Sequence, residues 1–231
     1  MNIWLSWSSG KDCAWALHVM RRAGVPVTAL FTTLNAEFQR VAMHGVRREL
    51  LDAQAEAVGL PLHVIDLPWP SSNDDYEARM RAFLGEARRA GVTHMAFGDL
   101  FLEDVRAYRE KNLAGTGIAP LFPLWGLNTR ALASEMIAAG VSARLATVDL
   151  ARLDQSFAGR TFDESLLAEL PESVDPCGEN GEFHTFVTVG PMLARPVSVA
   201  PGETVLRDGF AYADLLPVRD RKSTRLNSSH T

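Results

Sequence analysis

The 231 residues suffice for one large domain or a domain with a smaller appendage, and their 47% hydrophobic and 22% charged content is that of an ordinary globular chain. No apolar run approaches the roughly 18 residues of a membrane span, Met1-Asn2-Ile3 does not start a signal peptide, and two distant cysteines, Cys13 and Cys177, fit a reducing cytoplasm. The formal charge is −5, and −7 for residues 1–219 because Asp220, Arg221, Lys222 and Arg225 contribute +2; an acidic body without a basic cluster argues against nucleic acid as a partner.

The first predicted element is a buried strand, Ile3-Trp4-Leu5, which feeds Ser6-Trp7-Ser8-Ser9-Gly10-Lys11-Asp12-Cys13 and then a helix over residues 14–23. A strand, a small-residue turn and a helix make an anion site. Ser8, Ser9 and Gly10 let backbone N–H groups approach a ligand, and the helix N-terminus adds partial positive charge. Lys11 adds a full charge; lysine recurs only at Lys111 and Lys222 in a chain that otherwise uses arginine, so a compact ammonium is favoured in the loop. The common mononucleotide loop is excluded, because its first glycine and its Ser/Thr fall on Leu5 and Asp12. The three-glycine dinucleotide fingerprint is excluded as well, since only Gly10 is present. The plain alternative is a Ser/Gly turn ending in Asp12 as a helix cap.

Further on, residues 27–32 form a second buried strand, 33–43 a loop, and 44–58 a helix with Val46, Leu50, Ala53 and Ala57 at helical spacing, ended by Gly59. A strand follows at 62–65, then a turn at 68–72 whose Ser72 or Asn73 caps a helix with Met80, Phe83, Leu84 and Ala87 on one face. Strands at 95–97 and 118–123 flank a helical stretch at 102–113. Alternating strands and helices predict a parallel sheet with helices on both faces, whose ligands sit at the carboxyl ends of the strands. Ser8–Asp12, Thr32-Thr33 and Gly98-Asp99 all fall at such ends.

A second unit is expected from about residue 128. Thr129 caps a helix bearing Leu132, Met136 and Ala139, a strand covers 143–148, and 153–171 is helical in part. A tight loop, Asp175-Pro176-Cys177-Gly178-Glu179-Asn180-Gly181-Glu182, then runs into a strand through His184, Thr185 and Phe186, with a further strand at 203–211. Cys177, Glu179, Glu182 and His184 invite a metal reading, but one Cys and one His are too few for a structural zinc site. Glycines that hold carboxylates at fixed angles point to function instead. Residues 220–231 lack periodicity, resemble an in-frame translation of a sequencing adapter, and are expected to be disordered and outside the fold.

The Ser8–Cys13 loop resembles the Ser-Gly-Gly-x-Asp-Ser pyrophosphate loop of ATP pyrophosphatases, with Ser9 in place of the first glycine and Cys13 in place of the last serine. Together with Gly98-Asp99, Pro123-Leu124-Trp125 and the block from Cys177 to Phe186, it occurs in the order seen in the diphthine–ammonia ligase family. The resemblance covers residues 1 to about 193 and is carried most by Gly-Glu-x-Gly-Glu-aromatic-His-Thr. It implies an α/β fold of the adenine nucleotide alpha-hydrolase-like, Rossmann-like kind: a five-stranded parallel sheet over residues 1–127 that binds ATP, and a small C-terminal α+β domain over 128–219 that closes on the acceptor.

The resemblance further implies an AMP-forming amide ligase, with ATP, Mg²⁺, ammonia and a carboxylate acceptor as its cofactors and partners. ATP would be held by Ser6, Ser8, Ser9, Gly10, Lys11, Asp12, Cys13, Thr32, Gly98 and Asp99. Asp12 would hold Mg²⁺, or else cap the helix; Asp99 would meet ribose, metal or acceptor. Lys11, Asp12, Glu179, Glu182 and His184 carry the chemistry in this reading. Arg106, Arg109, Cys177, Gly178 and Thr185 contact the substrate, although an arginine on an exposed helix is ordinarily solvated. A homodimer stays open, and so does the acceptor, because diphthamide belongs to archaeal and eukaryotic elongation factor and a bacterial homologue would use another carboxylate. Another adenylating chemistry on a small metabolite, or ATP binding without turnover, are the competing readings.

Overall fold

A computed structural model describes residues 1–41 and 43–218; the adapter-like segment 220–231 lies outside them. Five parallel strands form one sheet: β1 (Ile3–Ser6), β2 (Val27–Asn35), β4 (Leu62–Leu67), β5 (His94–Ala96) and β6 (Ala119–Leu121). Their order across the sheet is β4-β2-β1-β5-β6, and the short β3 (Arg40–Val41) pairs antiparallel with the end of β2.

Alternation along each strand decides what covers each face. Ile3, Leu5, Leu30 and Leu34 point into one core with Trp15 and Leu17 of α1 (Lys11–Arg22) and Leu50 and Leu51 of α2 (Arg48–Val58). Trp4, Phe31 and Met95 point into a second core with Phe83, Leu84 and Ala87 of α3 (Asn73–Arg89) and Leu113 of α4 (Glu103–Leu113). The sheet is therefore doubly wound. The chain moves outward on one side of β1, then returns to the other side with β5.

After α5 (Thr129–Ala138), the remaining strands form an antiparallel sheet in the order β8-β7-β10-β9. These are β7 (Ser142–Asp149), β8 (Phe183–Val189), β9 (Val199–Arg207) and β10 (Phe210–Pro217), with α6 (Glu164–Glu169) between β7 and β8. The first core runs on into this sheet: Leu145, Phe162, Phe186 and Val187 belong to the same buried cluster as Leu5 and Leu17.

Several boundaries differ from the sequence reading. The helix expected from residue 14 begins at Lys11, and the one expected from residue 44 begins at Arg48. Ser72 caps α3 with a reciprocal bond to Asp75, while α5 is capped by Asn128, not Thr129, through Asn128 Oδ1 and the Ala131 N–H at 2.9 Å. The stretch 33–43, read as a loop, holds the last residues of β2 and all of β3. The single strand expected at 203–211 is a hairpin, turned by Asp208 and Gly209, whose φ angles are 52° and 83°.

Candidate active site

A cavity of about 570 Å³ opens at the carboxyl ends of β1 and β5, the point where the strand order reverses and a doubly wound sheet leaves a crevice. The start of α1 faces it. Gly10 is the N-cap and supplies no side-chain cap, so first-turn N–H groups that lack intrahelical partners are free to meet an anion. One of them is committed: the Lys11 N–H donates to Thr185 Oγ1 at 3.0 Å.

The loop before α1 is held by buried polar bonds. Ser9 is fully buried in a left-handed conformation at φ 71°, where a glycine would be unstrained. Its carbonyl accepts the Val187 N–H at 3.0 Å and Gln54 Nε2 at 3.1 Å. Gln54, fully buried on α2, also accepts from Trp7 Nε1 at 3.0 Å and donates to the Val187 carbonyl at 2.7 Å. One amide thus ties the loop to α2 and β8. The sequence carried its signal, a glutamine on the apolar stripe of Leu50, Leu51 and Val58.

Of the expected nucleotide contacts, Ser6, Ser8, Gly10, Lys11, Asp12, Cys13, Thr32, Gly98 and Asp99 line the cavity, and Ser9 does not. The Cys13 thiol turns back to donate to the Gly10 carbonyl at 3.1 Å, and burial pushes it up to about 11, so it is a neutral group engaged by its own loop. The Lys11 ammonium is not presented to the cavity as a free charge. It is 2% exposed, bonded to Asp12 Oδ2 at 2.9 Å and to the Cys177 carbonyl. The rings of Phe162 and Phe183 lie 5.4 and 5.3 Å away. Burial alone would lower its pKa, but Asp12 and its other acidic neighbours more than offset that and hold it raised.

The second loop reaches the same cavity from β8. Gly178, Glu179, His184 and Thr185 line it, whereas Cys177 and Glu182 do not. The Cys177 thiol is buried against the Thr129 carbonyl, so this residue serves the site through its own carbonyl alone. Glu182 is fully buried and braces the loop, with Oε1 accepting from the Asp175 N–H and from Asn180 Nδ2, both at 3.0 Å. Glu179 accepts the Leu100 N–H at 2.7 Å; burial, with the charges of Asp12 and Asp99, pushes its carboxyl up to about 7. A carboxyl balanced there can give or take a proton near neutral pH.

The two arginines of α4 part company. Arg109 lines the cavity with its Nε 3.4 Å from Asp99 Oδ2, while Arg106 pairs with Glu110 and packs over Phe122 and Trp125 outside it. His44, read from sequence as helical, instead sits in the turn before α2 with its ring tilted 31° to that of His184, centroids 4.3 Å apart, and with its Nδ1 buried and unpartnered. Burial first, and their positive neighbours second, hold both imidazoles low, His184 at about 4, so both are neutral at pH 7. Met80 and Leu84 of α3, with Phe31, Met95 and Phe97, make the far wall apolar.

Asp12 Oδ1 is buried without a hydrogen-bond partner, and among the described residues no group of three or more His, Cys, Asp or Glu is placed to hold a metal ion. A single hard oxygen beside the uncapped start of α1 does suit Mg²⁺, which takes one or two carboxylates and completes its shell with phosphates and water. No helix among the described residues is long and apolar enough to cross a membrane.

Fold and site define an α/β protein of the adenine nucleotide alpha-hydrolase-like kind, with its ligand crevice at the turn of a doubly wound sheet. The family model described as the diphthamide synthase N-terminal domain matches residues 1–119, and that of the diphthamide synthase C-terminal domain matches residues 128–215. The chain belongs to the diphthamide synthase family. It is similar to the diphthine–ammonia ligase of Danio rerio, 28% identical with 96% of this chain and 94% of the relative covered. It is also similar to that of Homo sapiens, 27% identical with 92% and 88% covered.

Proposed function

We propose that the chain is an ATP-dependent, AMP-forming carboxylate–ammonia ligase of the diphthine–ammonia ligase type, with residues 1–127 serving ATP and 128–219 the acceptor. The observation that carries this reading is Glu179: a carboxyl poised at about 7 on the second loop, in the same cavity as the uncapped start of α1. A module that only held a nucleotide would have no use for a proton acceptor there.

ATP lies with its adenine against the apolar wall of Phe31, Met80 and Phe97 and its phosphates at the first turn of α1, where N–H dipoles meet the charge that builds on departing pyrophosphate. An acceptor carboxylate oxygen attacks the α-phosphorus, the bond to the bridging oxygen breaks, and pyrophosphate leaves. The nitrogen of ammonia then attacks the acyl carbon. AMP departs with the electron pair of the C–O bond, and the proton lost from nitrogen passes to the Glu179 carboxylate. Mg²⁺, held by Asp12 Oδ1, would neutralise phosphate charge. Arg109, beside Asp99, is placed to meet an anionic acceptor.

With Mg²⁺, ATP, ammonium and a diphthine-bearing acceptor, AMP and amide are expected in equal amounts, and labelled pyrophosphate exchanges into ATP when the acceptor is present. Glu179→Gln should lower amide formation by about 10²-fold or more while adenylation continues, since only the second step uses that proton. Release of ADP in place of AMP overturns the proposal.

A further inference from the structure

The buried ammonium of Lys11 is the one full positive charge inside the loop, and its counter-charge is the adjacent Asp12, yet it also reaches across the site to the Cys177 carbonyl, beside the rings of Phe162 and Phe183. A lysine whose task was to grip phosphate would present that charge to the cavity.

What Lys11 touches is the base of the loop that carries Glu179. Within that loop, Asp175 Oδ2 accepts the Cys177 N–H at 3.0 Å and the Glu179 N–H at 3.1 Å. Asp175 N–H in turn donates to Glu182 Oε1 at 3.0 Å. The segment is therefore a small closed unit of hydrogen bonds. Three contacts reach out from it to the parallel-sheet side: Lys11 to the Cys177 carbonyl, and the Leu100 and Phe101 N–H groups to Glu179 Oε1 at 2.7 and 3.4 Å. Gly178, at φ 69°, brings the chain so near Phe183 that a Cβ would stand 2.7 Å from its carbonyl oxygen, so the turn has little freedom once its base is fixed.

We propose that Lys11 is a positioning residue, which clamps the Cys177 carbonyl to the start of α1 and so keeps the Glu179 carboxyl aimed into the cavity, and that it is not a ligand of the triphosphate. This rests on the reading of Glu179 as the proton acceptor. It assigns the electrostatic hold on phosphate to the helix N-terminus and to the metal site at Asp12. Removing the clamp would let the 177–181 turn swing toward water, where a carboxyl returns to its ordinary ionisation.

The test needs no acceptor. Binding of Mg·ATP is measured by calorimetry, and the ionisation of Glu179 by carbon NMR of labelled glutamate, with its resonance identified by loss in Glu179→Gln. In Lys11→Met the affinity for Mg·ATP is expected to stay within about threefold of the parent, well under the tenfold that corresponds to about 1.4 kcal/mol. The Glu179 midpoint is expected to fall by about one pH unit or more toward the ordinary carboxylate range. A merely structural lysine would lower the melting temperature without moving that midpoint in the folded protein. A loss of Mg·ATP affinity of about tenfold or more with an unmoved midpoint makes Lys11 a phosphate ligand and overturns the proposal. If Lys11→Met does not fold, Lys11→Arg decides: it keeps the charge but cannot place a compact ammonium beside the two rings, and an unmoved midpoint overturns the clamp. Failure of the parent protein to bind Mg·ATP would instead overturn the ligase reading, so the two failures are distinct.

Discussion

Gly98 lies so close beneath the start of α1 that a Cβ there would stand 2.9 Å from both the carbonyl carbon of Asp12 and the amide nitrogen of Cys13. Both atoms are backbone and cannot swing aside. The contact presses the end of β5 against the helix terminus that faces the cavity, so the shape of the crevice there depends on a position with no side chain. Gly98→Ala is expected to cost about 1–3 kcal/mol of stability, as overpacking does. Because the strain falls on the first turn, it should also weaken Mg·ATP binding. Urea unfolding and calorimetry read the two effects; unchanged affinity would separate Gly98 from the site.

Ser9 stands at φ 71°, fully buried, a conformation in which glycine would be unstrained. A non-glycine residue pays roughly 1–2 kcal/mol in that region. Ser9→Gly is therefore expected to raise stability by about 1 kcal/mol, with Ser9→Ala below the parent. Denaturant midpoints check the order Gly, Ser, Ala. If glycine does not exceed serine, the loop is not strained there.

Glu179 and His184 give stability opposite dependences on pH. The Glu179 carboxyl is pushed up from 4.5 to about 7, chiefly by burial. The folded chain therefore keeps a proton that the unfolded chain releases, and this contribution is complete below 4.5 and lost as pH rises through about 7. Burial pushes His184 down from 6.5 to about 4, so its contribution is present above 6.5 and lost as pH falls through about 4. Unfolding free energies from pH 4 to 8 should rise with pH in Glu179→Gln relative to the parent, and fall with pH in His184→Gln relative to the parent. Each difference is expected to reach about 1–2 kcal/mol once solvent screening is allowed for. Parallel curves would remove both groups from the buried site.

Much of the scaffold was written locally. Alternating apolar residues in β1 and β2, glycine stops such as Gly59 at φ 74°, and the Ser72 cap each act within a few residues, so they survive reading one stretch at a time. The hairpin at Asp208-Gly209 is equally local, an Asp-Gly pair between β-prone runs. The edge strand β3 has no such signal, because two residues paired to the end of β2 have no period to display.

The sequence alone determined the doubly wound sheet, the strand–turn–helix at the amino end and the family block around Glu179, because strand alternation, turn chemistry and residue order are properties of short segments. Only the tertiary structure decided how those pieces face one another. It turned the Lys11 ammonium inward to the Cys177 carbonyl, brought His44 onto His184, kept Arg109 in the cavity and left Arg106 outside. These are contacts between segments far apart in the chain, and burial and charge fix their partners only once both cores have closed.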